Sequence, residues 1–108
     1  MGAETPKATP IRLADHVDYS EGAIVSRTLL DRKSGTLTLF AFDQGQSLSE
    51  HTAPFDAVVQ VLDGEALLVI GGDEVRTTAG ELVIMPAHVP HSVHAEKRFK
   101  MLLTMIRS

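Results

Sequence analysis

Five histidines, His16, His51, His88, His91 and His94, are the side chains of this sequence best suited to chemistry near neutral pH. A neutral imidazole ligates divalent metals or acts as a general base, and modest changes in its surroundings move its charge across physiological pH. The histidines are unevenly placed: His51 sits in the middle of the chain, and His88, His91 and His94 cluster late. There is no cysteine, which excludes disulfides, thiolate zinc sites, iron–sulfur clusters and a cysteine nucleophile. Any metal must be held by nitrogen and oxygen, and the 14 Asp and Glu are the candidate oxygen donors. No G-x-S-x-G elbow, phosphate-binding loop or dinucleotide fingerprint is present. Any chemistry is expected to run through imidazoles.

The elements that must position them read as short strands. Ala23–Leu30 and Thr36–Phe42 are apolar runs separated by the polar turn Asp31–Gly35, and Gly45 turns the chain into the extended segment Ser47–Thr52. Ala57–Leu62 and Glu65–Ile70 flank Asp63-Gly64, a pair that favours a tight hairpin turn, so a hairpin is predicted there. Glu74–Thr78, Leu82–Met85, His91–Ala95 and Phe99–Ile106 complete about nine strands, with no helical crossover, which predicts an all-β antiparallel sandwich or barrel. Residues 1–10 carry two prolines and no periodicity and are expected to form a flexible arm, leaving 11–108 as one domain.

The formal net charge is −4, and the densest basic patch is Lys97, Arg98 and Lys100 beside Glu96, so nucleic acid is not an expected partner. No apolar run approaches the roughly 20 residues that span a bilayer, and the first residues lack a signal peptide's apolar block. Pro6 stands where a myristoylation motif needs Ser or Thr. A cytoplasmic protein without a membrane partner is the expectation.

Two stretches resemble the cupin superfamily, small jelly-roll barrels (double-stranded β-helices). The family's first motif, G-x5-H-x-H-x3,4-E-x6-G, is met by Gly45, His51 and Gly64. Its second, G-x5-P-x-G-x2-H-x3-N, is met by Gly80, Pro86 and His91. The resemblance implies a single-domain barrel with a pocket for a small organic molecule. In metal-binding members, three histidines and a glutamate hold one divalent ion. Here the second histidine position is Ala53 and the glutamate position is Ala57, while His88 replaces the internal glycine and Ala95 the terminal asparagine. His51 and His91 are therefore the candidate metal ligands, with His88 as a third if its loop folds over the mouth. Ala53 and Ala57 are expected to enlarge the pocket. His94 alternates away from His91, and His16 precedes the motifs.

Three functions follow from the resemblance. One is an oxygenase- or isomerase-like enzyme using a single Fe, Mn, Ni, Cu or Zn ion. Another is a metal-free barrel that binds a small ligand through the histidines. The third is a sensing or interaction module. Survival of two ligand histidines favours the first two. Free strand edges predict a homodimer, and the resemblance agrees.

Overall fold

The computed structural model describes residues 5–107. The start of the arm expected over 1–10, residues 1–4, lies outside them, as does residue 108. The chain forms eight strands: β1 (Ile24–Arg32), β2 (Gly35–Phe42), β3 (Ser47–His51), β4 (Ala57–Ile70), β5 (Asp73–Thr78), β6 (Leu82–Met85), β7 (His91–His94) and β8 (Phe99–Ile106). All pairings are antiparallel. One sheet runs β1-β2-β8-β4-β6 and the other β5-β4-β7-β3, with β4 shared, so a single ribbon of strands wraps into a barrel. This is the jelly-roll architecture that the motifs imply. No helix of the described residues is long and apolar enough to cross a membrane.

The expected hairpin at Asp63-Gly64 does not form. Residues 57–70 are one 14-residue strand, with a register shift between Val61 and Asp63 against β8. The inward residues are Ala57, Val59 and Val61 before the shift and Ala66 and Leu68 after it. The alternation changes from odd to even numbers, as one extra residue in a strand requires. Gly64 has φ +76°, and a Cβ there would collide with the Arg98 carbonyl oxygen and lie 3.1 Å from the Phe99 Cβ. The glycine therefore marks a bulge where β4 leaves one sheet for the other at close approach to β8.

Two apolar clusters hold this arrangement. The barrel interior contains Phe42, Val59, Leu68, Met101 and Phe99, with the Phe42 and Phe99 rings stacked at 4.5 Å. The second cluster lies on the outer face, where Leu39, Ala41 and Leu102 are covered by Val17, Leu13 and Tyr19 of the segment preceding β1. That segment contains a short 3-10 turn, Leu13–Asp15, and is tied down by polar contacts. The Tyr19 hydroxyl donates to Asp63 at 2.5 Å, the Lys100 ammonium donates to the Ala14 carbonyl at 2.6 Å, and Arg98 and Lys100 each lie 5.0 Å from the centre of the Tyr19 ring. Burial of the phenol, reinforced by Asp63, raises the Tyr19 pKa above its ordinary value.

One end of the barrel collects the residues of interest. β3 ends at His51 and β4 begins at Ala57; β6 ends at Met85 and β7 begins at His91. The two connecting loops are clipped together: the His88 N–H donates to the Ala53 carbonyl at 2.8 Å, and the Ala87 N–H to the Asp56 carboxylate at 2.8 Å. Ala57 pairs with Met85 on one side and Met105 on the other, and Met105 pairs with Thr36 of β2, so these four form the rung next to the loops. The next rung inward is Thr38, Leu103, Val59 and Val83. Several of these inward residues, Thr38, Phe40, Leu103, Val83 and Met105, remain partly exposed, whereas Leu39 and Ala41 on the outer face of β2 are fully buried. The inner face is thus partly accessible, while on the mouth rung Thr36, Ala57 and Met85 are buried and Met105 alone is partly exposed.

Candidate functional site at the barrel mouth

His51 and His91 meet here. They are direct register partners across β3 and β7, because the register slips by one residue between Leu48 and His51. An unbroken strand would place Glu50 opposite His91; the bulge turns His51 to the inner side instead. The two Nε2 atoms are 3.1 Å apart, and the rings meet edge to face with centres 4.4 Å apart. His91 is 4 % exposed, while His51 lies on the exposed rim.

The other ring nitrogens settle the protonation pattern. His51 Nδ1 is 2.7 Å from the Ser49 carbonyl and His91 Nδ1 is 3.2 Å from the Val89 carbonyl. A carbonyl oxygen only accepts, so each Nδ1 carries the proton and donates. In the neutral pair both Nε2 atoms then carry lone pairs. Burial, and next the neighbouring His51 charge, lower the His91 pKa below its ordinary value, against the pull of the Val89 carbonyl. That disfavours a second proton on His91 and leaves its Nε2 as an acceptor or ligand nitrogen facing the His51 Nε2. Metal–imidazole bonds of about 2.0–2.1 Å, at angles between square and tetrahedral, put adjacent ligand nitrogens about 2.9–3.4 Å apart. The observed separation has that value, so the two nitrogens fit adjacent positions around one divalent ion. Nδ1 anchoring to backbone carbonyls is also how ligand imidazoles are ordinarily oriented.

The remaining candidates divide. His88 lies in the turn between Pro86 and Pro90, exposed, with φ +66° and its N–H bound to Ala53. It fills the family's glycine position with the conformation a glycine would adopt, at some strain. Among the described residues no group of three or more His, Cys, Asp or Glu side chains is placed to hold an ion, so His88 does not join the pair. Ala57 is 3 % exposed within the interior cluster, and Ala53 is partly buried in the clipped loop. His94 bonds to the Ser92 hydroxyl at 2.9 Å, and His16 to the Arg12 carbonyl at 3.1 Å on the outer segment.

Three further residues matter here that no motif marks. Asp56 clips the mouth loops and Tyr19 secures the outer segment, both through contacts across strands that no local pattern announces. The third is Thr36. That side chain is 8 % exposed on the mouth rung, and its hydroxyl has no hydrogen-bond partner among the described residues.

Comparisons with known proteins agree with this fold. The family model described as "Cupin domain" matches residues 38–106. A conserved protein of unknown function from Streptococcus pyogenes is 32% identical, with 98% of this chain and 93% of that chain covered and a TM-score of 0.92. A cupin 2 conserved barrel domain protein from Leptotrichia buccalis is 42% identical over 89% of this chain and 47% of that chain, with a TM-score of 0.86. A cupin superfamily protein from Desulfitobacterium hafniense is 26% identical over 98% of this chain and 97% of that one, with a TM-score of 0.90. No curated protein matches the chain. With the barrel, the two motif histidines at its mouth and a family match over most of the sequence, the chain belongs to the cupin family.

Proposed function

We propose that this cupin binds a small organic molecule at the barrel mouth, beside one divalent transition metal held by His51 and His91. The observation that carries the reading is the approach of the two Nε2 atoms to 3.1 Å, each ring fixed from behind by a backbone carbonyl. The ion would supply Lewis acidity or a site for oxygen, the chemistry of an isomerase- or oxygenase-type reaction. The protein's own part is to orient both imidazoles, favour the neutral form of His91 and offer an apolar wall. With alanine at positions 53 and 57 the donor set is neutral, so water or the bound molecule completes it. His88 contributes through its backbone, as the clip to Ala53.

The test is cobalt(II) binding by the untagged protein. One equivalent is expected, with loss of binding in the His51→Ala/His91→Ala double variant. Weak, substoichiometric binding that the double variant retains would refute the metal centre. The lack of a carboxylate at position 57 favours a second reading: a metal-free pocket whose histidines bond directly to an organic ligand. A co-purifying molecule that leaves on His51→Ala substitution, in protein free of metal, would decide for it.

A homodimer is the proposed assembly. Leu82 and Ile84 on β6 and Ile106 on β8 are 51%, 58% and 49% exposed, and Ile84 pairs with Val58 on the part of the sheet that the outer segment leaves bare.

A further inference from the structure

A buried hydroxyl without a partner is costly, since its lost hydration is not replaced. Two threonines on strands carry one, Thr36 and Thr77. They differ in position. Thr77 is 1 % exposed opposite Ala66, in the half of β4 that follows the bulge. Thr36 is on the mouth rung, beside Met105 and two strands from Ala57, and it shares the inward face of β2 with Phe40 and Phe42. Its register partner is Met105, an unbranched side chain that is itself partly exposed and able to change rotamer. The other three residues of that rung, Met105, Ala57 and Met85, offer no hydrogen-bonding head group and no charge.

We infer that the Thr36 hydroxyl is a second binding point of the mouth, reached when Met105 swings aside, and that it selects uncharged ligands with a hydroxyl or carbonyl at the end remote from the histidines. This rests on the reading of the His51–His91 pair as the first binding point. The ligand it describes has two polar ends and an apolar middle. One end meets the histidine pair, the middle lies against Ala57 and the methionines, and the other end exchanges a hydrogen bond with Thr36. Charged far ends are disfavoured because no side chain of the rung neutralises them. A bound ligand would then supply the partner that the hydroxyl lacks. A polar group placed to pair with a substrate discriminates sharply against the analogue lacking its partner.

Two matched probes test this, 4-hydroxybenzyl alcohol and 4-methylbenzyl alcohol, with the histidine ring nitrogen signals of the full chain read by NMR. In the wild type the hydroxy probe is expected to bind at least about fivefold tighter than the methyl probe. Thr36→Val, which keeps the shape and removes the hydroxyl, is expected to erase that preference. Thr77→Val is expected to keep it. Both variants should melt no lower than the wild type, because each removes an unpaired buried hydroxyl. A preference that survives Thr36→Val, or that Thr77→Val abolishes equally, overturns the role of Thr36 while leaving the histidine pair intact. Equal binding of the two probes by the wild type overturns that role as well. If neither probe moves the His51 and His91 signals, or if His51→Ala leaves both affinities unchanged, the histidine reading fails and the Thr36 inference falls with it.

Discussion

Ala57→Glu restores the carboxylate that metal-binding cupins carry at this motif position, and its consequences follow from the mouth rung. Ala57 is 3 % exposed between Met85 and Met105. A longer side chain there overpacks the rung, at about 1–3 kcal/mol. The carboxyl, driven neutral by burial, adds an unpaired polar group at about 1–3 kcal/mol more. The metal-free variant is therefore destabilised by about 2–6 kcal/mol, a large part of the roughly 5–15 kcal/mol that holds a domain together. At about 4–8 °C per kcal/mol for a chain of this size, the melting temperature falls by at least about 8 °C. With cobalt(II) at a hundred times its dissociation constant, linkage returns about 2.7 kcal/mol, and the variant recovers about 10–20 °C. Calorimetric melts of wild type, Ala57→Glu and Ala57→Glu/His91→Ala, with and without cobalt(II), measure both quantities. The double variant should lose the recovery. Equal recovery in both would place the new carboxylate away from His91 and refute the shared mouth. A metal-free Ala57→Glu protein as stable as the wild type would refute the closed rung.

Four further outcomes are expected. Gly64→Ala meets both a left-handed φ and the Arg98 carbonyl, so it costs more than about 3 kcal/mol, whereas Gly72→Ala, at φ +86° with no atom within 4 Å, costs about 1 kcal/mol; urea melts of the two separate close approach from backbone preference. Because the His91 pKa is lowered, the unfolded chain binds its proton more readily, so stability is full above the ordinary value of 6.5 and falls as pH drops below it. Urea melts between pH 7.5 and 5 should show this slope in the wild type and a flatter one in His91→Gln. Arg98, through its hydrogen bond, holds the Asp43 carboxyl at about 2 instead of 3.8, so its stabilisation persists above pH 3.8 and disappears as pH falls through 2; Arg98→Met should lose this acid resistance. If the proposed homodimer forms through the bare face of β6, Ile84→Glu should give a monomer by light scattering with an unchanged melting temperature, because Ile84 is 58% exposed; a wild-type monomer would refute the assembly.

The sequence was informative where one residue type has one use. His51, His91 and the glycines at 45, 64 and 80 stand at motif spacings, and the structure puts the two histidines in contact. Asp63-Gly64 misled because a glycine at positive φ serves a hairpin and a bulge equally well. The alternation, odd in Val59 and Val61 and even in Ala66 and Leu68, fits both, since a two-residue hairpin turn would also set Val61 opposite Ala66. Only the pairing of residues 57–64 with β8 and of 67–70 with β7 separates the two. The His51 bulge was less legible: Leu48 to Glu50 reads as regular strand, and only pairing with β7 reveals the slip. The outer segment was hidden for a related reason. Leu37, Leu39 and Ala41 look like the solvent side of a barrel strand, and their apolar character makes sense only once Val17 and Tyr19 lie across them.

This difference bears on how the site works. The residues that were legible are the ones whose chemistry is intrinsic, two imidazoles able to carry a ligand or a metal. The residues that were not legible set their state: Ser49 and Val89 fix the tautomers through backbone carbonyls, and Ala53 and Asp56 clip the loops through His88 and Ala87. None of these contributions depends on its side-chain type except the Asp56 carboxylate. Asp56→Ala therefore separates orientation from chemistry. It leaves both histidines and both carbonyls in place but frees the Ala87 N–H and loosens the loop that leads into His91. Cobalt(II) affinity should fall about 10- to 100-fold, as when a group that orients a metal ligand is lost. Asp56→Asn, which keeps an oxygen acceptor for the Ala87 N–H, should recover most of it. Affinity unchanged in Asp56→Ala would mean that the histidine pair is held by the strands alone, through the β3–β7 register.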